Sequence, residues 1–273
     1  MSTTTLTTTA PPAAAPGVRP PLAPFVAEAT FVGRSLRHTL RNGEALLMAV
    51  LLPTMLMLVF TFVFGGALDS TGGYVDFVVP GIILTCAGFG ASYTAVAVNS
   101  DMTSGIIDRF RTMPLRGASV LIGHVVASVL RNLLATGIVI GVAVAIGFRP
   151  SATPLEWLAA LGIVTAWILA ITAVFAAVGL AASSPDAASG YGFILLFLPY
   201  LSSAFVPVST MPVWLQGVAE HQPVTPIIDT IRGLLLGAEF GQDWLWALLW
   251  CAGLIVVAFA WGSWLYRRKA GRR

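Results

Sequence analysis

The sequence contains few charged residues: 10% of its 273 residues are Asp, Glu, Lys or Arg, whereas 57% are hydrophobic. A soluble globule of this length needs more polar surface than these residues supply. The mean hydropathy of +0.86 therefore predicts a protein that crosses a membrane several times.

Lysine is almost absent as well, since Lys269 is the only one. A P-loop needs a lysine behind a glycine-rich turn, so any ATP must be bound by another chain.

Cysteine and histidine are also scarce. Cys86 and Cys251 each lie inside an apolar run, so we predict no disulfide. The three histidines are scattered, and neither an HExxH nor a GxSxG motif occurs. We therefore predict no catalytic residue, no metal site and no enzymatic activity in this chain.

Apolar runs long enough to cross about 30 Å of hydrocarbon recur along the chain. We place six spans, at residues 45–64, 77–98, 118–147, 157–182, 187–206 and 244–266. The fifth is the weakest because Pro199 and Pro207 kink or end a helix. The sequence thus predicts an all-α integral membrane protein with one six-span domain at 25–266. The Thr-, Ala- and Pro-rich residues 1–24 are expected to be a disordered cytoplasmic tail, and 267–273 a basic cytoplasmic tail.

The cations are distributed unevenly around these spans. Arginines precede the first span, lie between the second and third, and follow the sixth, while only Arg149 and Arg232 fall on the other side. Lys and Arg near span ends favour the cytoplasmic side, so both termini are predicted to be cytoplasmic. The pI near 9.2 then reflects topology, and no nucleic-acid partner is expected.

A helix lying in the inner headgroup layer is predicted before the first span. Its apolar and basic residues fall on opposite faces, namely Phe25, Val32, Leu36 and Leu40 against Arg34, Arg37 and Arg41. The alternative is a positively charged flank of the first span, which leaves the topology unchanged.

The charged interruption at residues 99–117 predicts a short amphipathic cytoplasmic helix. Asp101 is a suitable N-cap and Pro114 closes the segment. The apolar side carries Met102, Ile106, Phe110 and Met113 at helical spacing, and Asp108 can pair with Arg111. From the residues alone, a solvated loop whose arginines follow the positive-inside rule is an equal alternative.

Polar residues enter the third span at His124, Ser128 and Arg131, which share a helical face. Arg131 is placed only about 6 Å inside the inner boundary, so we expect its guanidinium to reach that boundary. His124 and Arg131 are then expected to brace the cytoplasmic helix.

The outer segment at 207–243 is too rich in proline to be a span. Thr225 as N-cap, Pro226 at the first helical position and Gly237 as a stop outline a short helix, on which Asp229 and Arg232 can pair. An interfacial loop anchored by Trp214 and Trp244 is the alternative.

Four blocks carry a family resemblance: GIIDRFRTMP at 105–114, LRNLL at 130–134, FVPVSTMPVWL at 205–215 and EHQPVTP at 220–226. In this order within a six-span frame, the chain resembles the membrane subunits of type-2 ABC exporters, specifically the daunorubicin/doxorubicin-resistance permease group. The resemblance covers about residues 25–270.

The resemblance implies a coupling helix at 101–113 that docks onto a separate ATP-binding subunit, present in two copies, which binds ATP and Mg. A second permease subunit, the same or related, would complete a path for a hydrophobic drug, antibiotic or lipid. An extracellular re-entrant hairpin before the last span would cover that path. The strong bias of Arg over Lys indicates a bacterial inner membrane.

The expected functional residues fall into four groups. Those coupling to the ATP-binding subunit are Met102, Ile106, Asp108, Arg109, Phe110, Arg111 and Pro114, with His124 and Arg131 as braces. The path is expected to be lined by Met55, Met57, Phe60, Phe89 and Tyr93, and the extracellular gate to contain Trp214, Pro226, Asp229 and Arg232.

Two other classes of protein stay open at this stage. A gradient-driven secondary transporter needs ionisable groups near mid-membrane, and the predicted spans supply almost none. A membrane scaffold without transport activity needs no coupling helix.

Overall fold

The computed structural model describes residues 43–69, 73–103 and 117–270, and every regular element in them is helical. The helices are α1 (Gly43–Leu58), α2 (Tyr74–Thr103), α3 (Gly117–Ile146), α4 (Pro154–Ala181), α5 (Pro185–Leu195), α6 (Val213–His221), α7 (Val224–Leu236) and α8 (Asp243–Ala270). Helix α1 continues as a π-helix at Val59–Phe64 and a last turn at Gly65–Leu68, and 3-10 turns occur at Leu198–Leu201 and Val208–Thr210. The predicted interfacial helix before the first span lies outside the described residues.

Five helices in the described part of the chain are long and apolar enough to cross a membrane. They are Leu46–Leu68, Tyr74–Thr103, His124–Ile146, Pro154–Ala181 and Asp243–Leu265. These correspond to the first, second, third, fourth and sixth predicted spans, so the all-α membrane class is confirmed. Local signals set several boundaries: Thr153 and Glu156 form a capping box at the start of α4, with Pro154 at the first helical position.

Helix α2 lies at the centre of the fold. It contacts α1, α3, α4, α5 and α7, and 72% of its most apolar stretch is buried, against 17% for the first span. Small residues allow this close approach. A Cβ added at Gly81 would lie 2.6 Å from the Ala204 Cβ, and one added at Gly179 of α4 would run into the Ala95 carbonyl. The neighbouring backbones thus touch α2 directly.

The predicted fifth span, 187–206, is not a continuous helix. Helix α5 ends at Leu195, a 3-10 turn follows, and irregular turns continue beyond it. Pro199 lies in that 3-10 turn and has no N–H to continue an α-helical ladder. The freed backbone is satisfied locally, since the Ser202 hydroxyl donates to the Pro199 carbonyl and accepts from the Ala204 N–H.

This broken segment nevertheless runs alongside α2 in the opposite direction. Gly192 lies against Ser92, Leu196 against Gly88, and Ala204 against Gly81. At the far end, the Tyr74 hydroxyl donates to the Phe205 carbonyl at 2.6 Å. Residues 192–205 therefore follow α2 from beyond its midpoint to its first residue.

Helices α6 and α7 form a hairpin against the same region. In the turn between them, Gln222 donates to the Leu198 and Leu201 carbonyls, whereas at the end of α7 the Leu235 carbonyl accepts from the Ser151 N–H. Helix α7 begins at Val224, earlier than predicted, so Thr225 is not its N-cap: the Thr225 hydroxyl donates to the Ala219 carbonyl. The predicted stop at Gly237 is confirmed, with a left-handed φ of 72°.

The first testable prediction concerns the contact between α2 and α4. Gly179→Ala places a methyl group against the Ala95 carbonyl, and we expect a loss of about 1–3 kcal/mol because a packed interface must shift. Thermal unfolding of the purified protein in detergent measures this loss. Gly162→Ala on the same helix is the matched control, since an added Cβ there meets nothing within 4 Å. Equal melting temperatures for the two variants would contradict the packing described.

Candidate functional sites

The C-terminal end of α2 leads into the predicted coupling segment. Six of the seven predicted coupling residues lie outside the described residues: Ile106, Asp108, Arg109, Phe110, Arg111 and Pro114. Met102 is described and partly buried, and it packs on a small cluster of Val98, Val125, Ala176 and Leu180. Its side chain thus contributes to joining α2 to α3 and α4.

Asp101 and His124 form an ion-pair contact at this end. The Asp101 Oδ2 lies 2.8 Å from the His124 Nε2, and both side chains are partly exposed. Asp101 lies in the last turn of α2, and the helix that it was predicted to cap lies outside the described residues. The Asp101–His124 contact links α2 to α3, the two helices that flank residues 104–116.

Asn99 joins the same end of α2 to α4. Its buried side-chain amide donates to the Gly179 and Ala182 carbonyls, each at 2.9 Å. The last four carbonyls of a helix have no partner inside that helix, so Asn99 satisfies groups that α4 leaves open. The sequence analysis missed this residue, although an asparagine at the end of an apolar run was the available signal.

Arg131 lies well away from this cluster. Its guanidinium donates to the Gly90 carbonyl at 2.7 Å and stands over the Tyr93 ring, 4.9 Å from the ring centroid. Gly90 is about three turns, or roughly 16 Å, from Asp101 along α2. The guanidinium therefore contacts the middle of α2 and not the end at which His124 meets Asp101. Because Gly90 lacks a side chain, its carbonyl is open to α3, and the guanidinium turns to it.

A second polar cluster lies near the N-terminal end of α2. The Arg232 guanidinium pairs with the Asp229 carboxylate at 2.6 Å and donates to the Phe77 and Ser203 carbonyls. The Ser203 hydroxyl also donates to Asp229, and Arg232 stands 4.1 Å from the Phe77 ring centroid. These contacts hold α7 against both α2 and the broken segment.

The electrostatics of this pair balance burial against mutual attraction. Burial raises the pKa of the Asp229 carboxyl, and the charge of Arg232 and the Ser203 hydroxyl oppose that rise. Burial likewise lowers the pKa of the Arg232 guanidinium, opposed by Asp229. An arginine is not deprotonated in proteins, so the cation persists and favours an ionised partner.

The other two predicted gate residues differ from each other. Pro226 is buried in the first turn of α7, whereas Trp214 on α6 is 77% exposed. Pro226, Asp229 and Arg232 thus lie together on α7, whereas the Trp214 side chain is exposed on α6.

The five residues predicted to line a path do not share one surface. Met57 is fully buried whereas Met55 is 46% exposed. Phe60 stacks near Phe205, with ring centroids 4.5 Å apart, in an aromatic cluster that includes Tyr200. Phe89 is partly buried on α2, and Tyr93 covers Arg131.

The described residues contain no group of three His, Cys, Asp or Glu side chains placed to hold a metal ion. Cys86 and Cys251 are buried free thiols in different helices, and the Cys86 thiol donates to the Ala49 carbonyl. The chemistry of these sites is therefore that of helix-to-helix hydrogen bonds and ion pairs.

Comparison with known proteins agrees with this architecture. The family described as ABC-2 type transporter matches residues 29–236. The chain is 32% identical over 252 residues, 89% of each chain, to the daunorubicin resistance ABC transporter permease protein DrrB1 of Streptomyces coeruleorubidus. It is 27% identical over 238 residues to the probable doxorubicin resistance ABC transporter permease protein DrrC of Mycobacterium tuberculosis, covering 85% of this chain and 86% of that one.

The chain is also 29% identical over 205 residues to the probable multidrug ABC transporter permease YbhR of Escherichia coli, which covers 72% of this chain and 53% of that protein. The family match covers well over half of the chain and includes α1 to α7. The chain belongs to the ABC-2 type transporter family.

Proposed function

We propose that this chain is the membrane-spanning permease subunit of an ATP-driven ABC exporter in a bacterial inner membrane. Its cargo is a hydrophobic compound such as a drug, an antibiotic or a lipid. The observation that carries the proposal is the 32% identity to a drug-resistance permease over 89% of both chains. The apolar helices and the lack of a P-loop lysine support a membrane subunit whose energy comes from another chain.

The chain crosses the membrane six times, with the segment from α5 to Phe205 as a broken crossing. Five long helices alone would leave the two termini on opposite sides of the membrane. Both termini are rich in arginine, which favours the cytoplasmic side, so an even number of crossings is needed. The contacts from Gly192 to Phe205 along α2 support one further crossing. Irregular backbone at membrane depth is tolerated where it is buried in protein, as it is here against α2.

Helices α6 and α7 form an extracellular re-entrant hairpin. The hairpin turn contacts Leu198 and Leu201, in the middle of the broken crossing, and the end of α7 returns to Ser151 at the outer end of α4. The Asp229–Arg232 pair fastens this hairpin to α2, so the hairpin would have to slide or tilt for the path to open outward.

The predicted coupling segment, which follows α2, docks onto the ATP-binding subunit, which holds ATP and Mg. Two such subunits act on two permeases, the second being a copy of this chain or a relative. The contacts of Asn99 with α4 and of Asp101 with His124 support a rigid inner end, through which a push on the coupling helix would tilt α2, α3 and α4 together.

The exporter assignment predicts a specific partner. A tagged wild-type chain in mild detergent should capture an ATP-binding subunit with Walker motifs. Phe110→Ala combined with Arg111→Glu should lose the ATP-binding subunit. The first change removes an aromatic side chain from the apolar side of the coupling segment, and the second reverses a charge beside it. Mass spectrometry of the co-purified proteins gives the readout.

The matched control for that variant lies on the opposite side of the membrane. Trp214→Ala combined with Glu220→Arg also removes an exposed aromatic ring and reverses an exposed charge, on α6. This control should keep the ATP-binding subunit. Absence of such a subunit from every gentle preparation of the wild type would count against the exporter.

Asn99→Leu should weaken the inner end of the fold. The change leaves the Gly179 and Ala182 carbonyls without the amide, at a cost of about 1–3 kcal/mol for buried unsatisfied groups. We expect a lower melting temperature and fewer cargo molecules exported per ATP hydrolysed in the reconstituted complex. Ser100→Ala, at the exposed next residue, is the control and should leave both quantities unchanged.

The Asp229–Arg232 pair predicts a measurable coupling energy. Asp229→Asn and Arg232→Gln each leave a partly buried charge without its opposite charge. The losses of stability of the two single variants should therefore sum to more than the loss of the double variant. A double-mutant cycle should return an interaction of about 0.5–3 kcal/mol. Glu220→Gln, at an exposed position of α6, serves as the reference for loss of a surface charge. Strict additivity of the two single changes would contradict a working ion pair.

A further inference from the structure

Arg131 is a buried cation at the middle of the bundle. It is 6% exposed, and it meets α2 at Gly90, near the middle of that 30-residue helix. An ionisable residue inside a membrane bundle is costly to keep. Such residues pair with other charges or with backbone carbonyls, and they often mark the path of a substrate or an ion.

The hydrogen-bond donors of Arg131 are incompletely used. One terminal nitrogen donates to the Gly90 carbonyl and, at 3.4 Å, to the Ser128 hydroxyl, while Nε has no partner. Both acceptors are neutral. The ion pairs found among the described residues are Asp101–His124 and Asp229–Arg232, near opposite ends of α2, so none of them supplies a carboxylate to Arg131.

Asn132 adds a second unpaired donor at the same place. Its side-chain amide is fully buried over Gly90, and neither its nitrogen nor its oxygen has a hydrogen-bond partner. Buried polar groups normally find partners, and two neighbouring residues on α3 with unused donors indicate a position that an acceptor occupies in another state.

This position lies just behind an exposed surface. The Tyr93 ring, 36% exposed, covers the guanidinium, and Leu130 and Leu134 on α3 are 43% and 46% exposed. The surface thus offers an aromatic ring and two aliphatic side chains around a hidden cation. That combination suits a molecule with an apolar body and an acidic group.

We propose that Arg131 and Asn132, covered by Tyr93, bind the carboxylate or phosphate of an anionic amphiphile that enters from the membrane. The acidic group would take up the free Nε–H of Arg131 and the Asn132 amide as the Tyr93 ring moves aside, and the apolar body would lie along Leu130 and Leu134. The proposal rests on the proposed function and narrows its cargo to amphiphiles with an acidic group.

The test uses the full-length chain without its ATP-binding subunit, in nanodiscs of zwitterionic phosphatidylcholine. Radiolabelled dodecyl phosphate is the probe, and saturable binding is measured at equilibrium. We expect one saturable site that dodecyltrimethylammonium, a cation of equal chain length, does not displace. Arg131→Gln should weaken binding about tenfold or more. Arg131→Lys should weaken it less, because the lysine ammonium keeps the positive charge but lacks the planar set of N–H donors of the guanidinium.

Arg149→Gln is the matched control, since it removes an exposed arginine just beyond the outer end of α3 and should leave binding unchanged. If Arg131→Gln does not fold, Tyr93→Ala keeps the charge but uncovers it, and should change the dissociation constant at least about threefold.

Two competitors identify the source of the anion. Phosphatidylglycerol in the nanodisc displaces the probe if a lipid headgroup is bound, and inorganic phosphate displaces it if a free anion suffices.

Three results would overturn the proposal: no saturable binding to the wild type, equal binding to a folded Arg131→Gln variant, or equal displacement by the cationic probe. Because no ATP-binding subunit is present, the outcome is independent of the exporter assignment. Binding at Arg131 without a co-purifying ATP-binding subunit would retain the site and reject the exporter. A co-purifying ATP-binding subunit without binding at Arg131 would support the exporter and leave Arg131 a purely structural residue.

Discussion

The close packing of small residues on α2 is the interaction on which the rest of the structure depends. Helices cannot be driven together in lipid by the burial of apolar surface from water, so backbone approach and interhelical hydrogen bonds must supply the attraction. Gly179 of α4 meets the Ala95 carbonyl, and Ala204 meets Gly81 from the other side. With both neighbours fixed in this way, α2 sets the depth of α4 and of the broken segment at once.

The broken segment shows what the membrane demands when a helix is interrupted. Pro199 ends the helical ladder, yet each freed backbone group in hydrocarbon would cost several kcal/mol. Side chains satisfy these groups: the Ser202 hydroxyl bonds the Pro199 carbonyl and the Ala204 N–H. From the hairpin, Gln222 donates to the Leu198 and Leu201 carbonyls, and the Thr225 hydroxyl accepts from the Ser203 N–H. The hairpin is therefore part of what permits an irregular backbone beside α2.

Hydropathy predicted five of the spans because each is one helix whose apolar length alone distinguishes it. Hydropathy also predicted one helix at 187–206, because composition does not show where the helical hydrogen bonds stop. Pro199 was the sequence signal for that break. The depth of Arg131 could not be read from α3 alone: it follows from the absence of a side chain at Gly90, a residue 41 positions away. Asp101 has the residue type of an N-cap, but pairing with His124 is a tertiary contact that local capping rules do not contain.

The polar contacts on α2 are spaced so that one helix meets every functional region. Asn99 and Asp101 lie at its C-terminal end, Gly90 near its middle and Phe77 near its N-terminal end, where the Phe77 carbonyl accepts from Arg232. A helix of 30 residues is about 45 Å long, so these contacts are spread along most of its length. In the proposed mechanism, a push at the inner end that tilts α2 must shift its carbonyl groups relative to both Arg131 and Arg232. An acidic group bound at Arg131 would favour whichever tilt leaves that guanidinium free of Gly90, and so link cargo binding to the hold on the outer hairpin.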